Sequence, residues 1–252
     1  MVYRLILSYR GTVYAGWQRQ LNAVAVQQVV EEALQDLLGA AVRVVGASRT
    51  DSGVHARGQA AHLVLERPFP ARGLMGGLNG RLPADIRVLA ADLMPEGFHA
   101  LRCAEAKTYR YRLLRARVLS PLDSDQVVRL DSRVDVSRLQ DAASMVVGEH
   151  DFAAFALAGG SQLTSRRHLL EAHWLEAGPA LDFVVVGEGF LRGMVRSLVG
   201  TLLEVGSGRR SLENLGALLE GAPRSAAGPT APAHGLVLER VHYREPWEPL
   251  LG

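Results

Sequence analysis

The order in which two periodicities follow one another is the tightest constraint this sequence places on its fold. Residues 2 to 9 alternate, with Tyr3, Leu5, Leu7 and Tyr9 on one face, as a half-buried strand does. Val26, Val29, Val30, Ala33, Leu34, Leu37 and Leu38 then recur at helical spacing, with Gly39 as the stop. Residues 42 to 46 and 59 to 65 read as two strands, Ala71 to Leu78 as a short helix ending at Asn79-Gly80, and "DIRVLAADLM" as another strand. The same order of strand, helix, strand, strand, helix, strand begins again at residue 104. Residues 104 to 115 alternate, Leu139, Ala142, Ala143, Val146 and Val147 mark a helix, and "RRHLLEAHWLEAG" with "LDFVVVGEG" reads as a hairpin. The strongest helix runs through Leu191, Met194, Val195, Leu198, Val199, Leu202 and Leu203. A second helix lies near Leu212 to Leu219, and "GLVLERVHY" closes as a strand. Two rounds of the split strand-helix-strand plan predict an α+β protein of two ferredoxin-like domains, 1–103 and 104–252. Each is expected to be an antiparallel sheet with helices on one face. Residues 116 to 135 and "EGAPRSAAGPTAPAHG" read as loops.

A chain of 252 residues can bury a sizeable core without staples, and its one cysteine, Cys103, excludes an internal disulfide and any zinc site needing two thiolates. "VYRLILSY" is too short and too polar for a signal peptide, and no apolar run reaches the ~18 residues of a membrane helix. The expectation is a cytoplasmic protein. Net charge is only +2, yet Lys107 is the sole lysine and every other strong base is arginine. Arginine grips phosphate in two places and stacks on bases, so this usage fits a nucleic-acid partner; it also fits a codon bias toward Arg, Ala and Gly.

The stretch "GASRTDSGVHARGQ" (46 to 59) concentrates polar chemistry between two apolar runs. On its own residues, "TDSG" is ordinary turn material, with aspartate accepting backbone N–H groups and glycine supplying φ > 0. The same Asp51 lies two residues from Arg49, and an ionised, desolvated carboxylate is a competent nucleophile. Metal chemistry has little support: His55 and His62 fit neither one helix face nor a finger, and no C-x-x-C exists. Arg192 and Arg196, four apart, are expected on one side of the strongest helix, beside its apolar stripe. Tyr109 and Tyr111 share one strand face and read as core aromatics.

Taken in order, "GWQRQ", "RTDSGVHA", "LNGRLPADI", "FHA", "KTYRYRL", "GEHDFAAF", "GFLRGMVRSLVGTLLEVGSG" and "AGPTAPAHGL" resemble the tRNA pseudouridine synthase A family from about Tyr9 to Tyr243. The resemblance implies cofactor-free, metal-free isomerisation of uridine to pseudouridine at positions 38 to 40 of the tRNA anticodon stem-loop. It implies a homodimer and an active-site cleft between the two domains. It makes Asp51 the catalytic nucleophile, Arg196 its cationic partner, and Tyr109 the residue that stacks on the target base and is placed to act as a base. Arg49 is expected in the space left by the extruded base. Arg19, Arg57 and His55 are expected RNA contacts, with Arg209 and Arg210 as weaker ones.

The chain departs from the family's usual pattern at four positions. Arg10 stands where the family usually has aspartate, Ser48 where it has glycine, and Gly193 and Ser197 where it has histidine and asparagine. None removes a proposed catalytic group, and Gly193 is expected to cost ~1 kcal/mol as a mid-helix glycine. Two other readings keep the same scaffold: a non-catalytic RNA-binding dimer, and a pseudouridine synthase acting on another RNA.

Overall fold

The computed structural model describes residues 1–130, 133–160, 163–245 and 247. Its strands are β1 (Val2–Tyr9), β2 (Val45–Gly46), β3 (His55–Val64), β4 (Ile86–Met94), β5 (Ala106–Leu114), β6 (Val128–Arg129), β7 (Gly148–Asp151), β8 (Arg166–Ala177), β9 (Ala180–Gly187) and β10 (Leu236–His242). Its helices are α1 (Val26–Leu38), α2 (Ala71–Asn79), α3 (Val136–Met145), α4 (Met194–Gly206) and α5 (Leu212–Leu218). This is an α+β chain in two compact units, Met1–Glu105 with the residues from Leu238 on, and Ala106–Val237.

In the first unit β1 is central, antiparallel to β4 on one side and to β3 on the other. β2 and β10 both lie against β3. Tyr3, Leu5, Leu7 and Tyr9 are all buried, as their alternation requires. α1 buries Val26, Val30, Ala33 and Leu34 and ends where Gly39 turns left-handed at φ 72. α2 meets α1 at Gly77, whose missing side chain leaves room for Leu37.

β2 is shorter than the run 42 to 46 suggests, and β3 starts at His55 rather than at 59. Residues 55 to 58, which the sequence leaves in the polar stretch between the two strands, belong to β3 and include Gly58. The glycine is there because the neighbouring strand approaches closely: a β-carbon at 58 would lie 2.5 Å from the Glu239 carbonyl oxygen.

In the second unit β5, β9, β8 and β7 pair in that order, all antiparallel, with β6 added parallel to β5. β7 is too short to cover the far end of β8. There the Gln140 side chain of α3 stands in for a strand, donating to the Trp174 carbonyl at 2.7 Å and accepting its N–H at 3.0 Å.

α4 corrects one expectation. It starts at Met194, not at Leu191, because Gly193 takes φ 68 and ends the preceding loop. Gly193 is therefore an N-terminal cap rather than a mid-helix residue. Arg192 lies outside the helix, exposed and donating to the Ala158 carbonyl at 2.8 Å, so it shares no helical face with Arg196.

Candidate active site

The Asp51 segment of the first unit is a turn held by the loop that follows β1. Val54 N–H donates to the Asp51 carbonyl at 3.1 Å, and Gly53 between them takes φ 79, the signature of a turn with glycine at its third position. From the first loop, Trp17 N–H donates to the Thr50 carbonyl at 3.1 Å. The Tyr14 carbonyl accepts from Gly53 N–H and from the Ser52 hydroxyl, both at 3.3 Å. Gly11 N–H donates to His55 Nδ1 at 3.0 Å. Gly16, at φ 90, lets this happen: a β-carbon there would sit 2.4 Å from the Thr50 carbonyl oxygen. On the other flank, Gln59 brackets Ser48, donating to its carbonyl at 2.6 Å and accepting its N–H at 3.2 Å.

Behind the turn, the Tyr9 and Thr50 hydroxyls are 2.8 Å apart in the interior. Tyr14 OH donates to Asp85 Oδ1 at 2.8 Å, and burial together with that carboxylate raises the phenol's pKa above its usual range. The result is a rigid backbone cradle with Asp51 half-buried and Arg49 and Ser52 exposed. Such a cradle fixes a carboxylate without using side-chain motion.

His55 is buried, and its Nδ1 carries a lone pair for Gly11 N–H, so one of its ring nitrogens is committed to the fold. Arg19 is half-exposed and paired with Glu31 at 3.0 Å, and Arg57 is exposed with Glu239 at 3.7 Å. In each pair the guanidinium is exposed and the carboxylate largely buried, 13% exposed for Glu31 and 17% for Glu239.

In the second unit Tyr109 lies on the buried face of β5 between Lys107 and Tyr111, only 5% exposed. The Phe190 ring meets it edge-on at 5.0 Å and 79°. Arg196 belongs to the first turn of α4, half-buried. Its Nε donates to the Ala231 carbonyl at 2.8 Å, while Ala231 N–H returns to the Arg196 carbonyl at 3.1 Å. Tyr111 is fully buried and donates to the Pro232 carbonyl at 2.8 Å. Burial raises its pKa, and the Arg196 charge opposes that rise.

The "AGPTAPAHG" segment is thus a rail for α4, and α4 is built to receive it. Gly200 has no room for a β-carbon, which would fall 1.7 Å from the Pro229 carbonyl oxygen. Thr201 Oγ1 accepts from Gly228 N–H at 3.0 Å, and Ser197 Oγ meets Thr230 Oγ1 at 3.3 Å. Ser197 is fully buried, so its hydroxyl serves packing between helix and rail. Arg210, past the end of α4, is held by Glu204 at 2.9 Å, and Arg209 by the Ser207 hydroxyl at 3.0 Å.

Sequence reasoning missed Phe190, Tyr14 and Thr230, each of which positions a candidate residue or its carrier. Their only signal was loop composition, glycine with aromatics around Tyr14 and Phe190 and alanine, glycine and proline around Thr230. Among the described residues no group of three or more His, Cys, Asp or Glu is arranged to hold a metal ion, and no helix is long and apolar enough to cross a membrane.

The family model described as "tRNA pseudouridine synthase" matches residues 5–101 and 142–244. The chain is 46% identical over 242 residues to the tRNA pseudouridine synthase A of Syntrophotalea carbinolica, covering 96% of each chain. It is 43% identical over 243 residues to the one from Geobacter sp. strain M21, covering 96% of this chain and 98% of that one. The Myxococcus xanthus protein of the same description is also 43% identical over 243 residues, with 96% and 92% covered.

Proposed function

The chain belongs to the tRNA pseudouridine synthase family, isomerases that convert uridine to pseudouridine in tRNA, and from that premise we propose that it modifies positions 38 to 40 of the anticodon stem-loop with Asp51 as nucleophile. The observation that carries the reading is the Asp51 turn: a half-buried carboxylate on a backbone fixed by hydrogen bonds from a second loop. Pseudouridine formation breaks the C–N glycosidic bond, turns the uracil and joins its C5 to the ribose. The hydrogen on C5 leaves and N1 acquires one, so substrate and product have the same mass. The carboxylate must meet a nucleotide already out of its stack. Extrusion costs a few kcal/mol, and stacking on an aromatic returns ~1–3 kcal/mol.

Tyr109 is proposed to supply that stack and to be available as a base, and Arg49 to fill the place of the extruded base. Arg196 is the proposed cation that keeps the carboxylate ionised, since a desolvated lone carboxylate otherwise takes up a proton. Support for Arg196 is its fixed guanidinium, anchored through Nε to the Ala231 carbonyl. Arg19, Arg57 and His55 remain proposed RNA contacts, the first two on exposure, His55 on family resemblance alone. The enzyme is proposed to work as a cytoplasmic homodimer of two-domain protomers, each domain ferredoxin-like. The strand order β4-β1-β3 with β2 beyond supports that plan for the first domain.

The test is tritium release from tRNA labelled at uracil C5. Wild type is expected to release label, and Asp51→Asn to fold and bind tRNA without releasing it. Binding without release by the wild type would leave only an RNA-binding scaffold, and release by Asp51→Asn would remove the nucleophile assignment.

A further inference from the structure

β5 puts two unlike side chains on one buried face, Lys107 and Tyr109, two residues and so about 6.5 Å apart along the strand. Lys107 is the chain's sole lysine, amid a composition that uses arginine everywhere else. Only 7% of it is exposed, and no carboxylate or hydrogen-bond acceptor among the described residues is paired with its ammonium. Directly across the ladder stands Gly187, which contributes no side chain, and the Phe190 ring that edges Tyr109 also covers that glycine, 3.1 Å from where its β-carbon would be.

A charge in such a place is a cost to the folded protein. Burial alone lowers the Lys107 pKa, with no neighbouring charge to offset it. A hydrophobic residue of the same length would fill the same slot without that cost. What the ammonium lacks is an anion, and it lacks it one strand step from the ring proposed to hold the target base.

We propose that Lys107 binds a backbone phosphate of the RNA strand that carries the target uridine, beside the nucleotide stacked on Tyr109. The proposal rests on the tRNA reading above and adds to it a contact that positions the extruded nucleotide by its backbone rather than its base. A phosphate contact is blind to sequence and fixes register, which suits an enzyme that must hold a nucleotide while its base is detached and turned.

The experiment compares wild type, Lys107→Met and Lys107→Arg on an anticodon stem-loop RNA, native or with a single neutral methylphosphonate on the 5′ or 3′ side of the target uridine. For Lys107→Met, affinity on native RNA is expected to fall about five- to tenfold. The slope of log affinity against log salt should flatten by about 0.7, the value of one single-strand phosphate contact. One of the two neutral linkages should weaken wild type to the same extent and leave Lys107→Met unchanged. Lys107→Arg, which keeps the charge, should keep the slope. Without RNA, Lys107→Met should melt no lower than wild type, because it removes a charge that burial of its side chain partly desolvates and that no described protein group pairs.

An unchanged salt slope in Lys107→Met, or losses that add when variant and neutral linkage are combined, would overturn the proposal. So would a lowered melting temperature, which would mean that the protein itself satisfies the ammonium. Tritium release by wild type is scored separately: its absence removes the synthase reading and leaves the phosphate comparison standing.

Discussion

The hydroxyl groups of Tyr9 and Thr50 meet at 2.8 Å inside the first unit, joining the last residue of β1 to the residue before Asp51. Both residues are buried, so neither hydroxyl has bulk water as a substitute partner. Tyr9→Phe removes one of the two and leaves Thr50 Oγ1 without this bond. The expected loss is about 1–3 kcal/mol of stability, read from urea unfolding, because a buried polar group stripped of its partner loses more than the bond's net worth. Turnover should fall with tRNA affinity unchanged, since the turn loses a fixed point and no RNA-facing group. Unaltered turnover at lowered stability would make the pair a packing feature only.

Gly16 tests the same cradle from the other side. At φ 90 and with the Thr50 carbonyl 2.4 Å from any β-carbon, Gly16→Ala must move backbone, not a flexible side chain. About 1–3 kcal/mol of destabilisation is expected, with a loss of turnover larger than stability alone accounts for. Gly76→Ala is the control. It lies within α2 with nothing within 4 Å of the new β-carbon, and it should stabilise by up to ~1 kcal/mol through helix propensity. Equal effects from the two substitutions would show that position 16 has no special role.

Most of the element order was readable because burial follows period, as the alternation of 2 to 9 and the stripe of α1 show; the short strands β6, inside the run 116 to 135 read as loop, and β7 carry too few residues to show a period. What escaped was set by distant chain. Arg4 falls on the polar phase of β1, yet it is 2% exposed, paired with Asp92 at 2.7 Å and covered by Phe98 and Tyr243, each ring centroid 5.9 Å away. Nothing local to residue 4 predicts that the segment after β4, with Phe98, and the residues after β10, with Tyr243 and the Trp247 carbonyl, return to cover it. Gly193 misled for a related reason, because it answers to a left-handed cap and not to a helix interior, and the start of β3 was hidden because Gly58 answers to a neighbouring strand. At the candidate site the residues alone left Asp51 between turn and nucleophile. The family resemblance is the ground for proposing it as nucleophile, and the structure adds how its turn is held.

His62 gives the first unit a pH dependence. It is 8% exposed, its Nδ1 accepts Ala100 N–H at 3.1 Å, and its ring lies 4.6 Å from that of His99. Burial, then the charges of His99 and Arg102, lower its pKa from 6.5 to about 4, against a small opposing bond to the Val45 backbone. Between those values the unfolded chain binds a proton that the folded protein refuses. Stability is therefore full above 6.5 and declines as pH falls toward about 4. His62→Asn keeps an acceptor for Ala100 N–H and cannot titrate. It should flatten the fall in urea midpoint across this window, leaving the part due to His99, whose pKa is also lowered. Identical slopes for variant and wild type would refute the assignment.

Tyr109 separates stacking from packing. Its ring is 5% exposed and edged by Phe190 at 5.0 Å, so as a core residue its loss to alanine would cost about 3–5 kcal/mol of stability and would weaken binding and turnover together. As the platform for an extruded uracil it acts only once the base has left its stack. Tyr109→Ala should then lower turnover by more than tenfold beyond its effect on tRNA affinity, which rests mainly on phosphates. Tyr109→Phe keeps the face and drops the hydroxyl, so it should restore stability and stacking. Any remaining deficit in tritium release from Tyr109→Phe then measures the hydroxyl. Parallel losses of affinity, turnover and melting temperature in Tyr109→Ala, all recovered by phenylalanine, would assign the ring to the core of the second unit and not to the substrate.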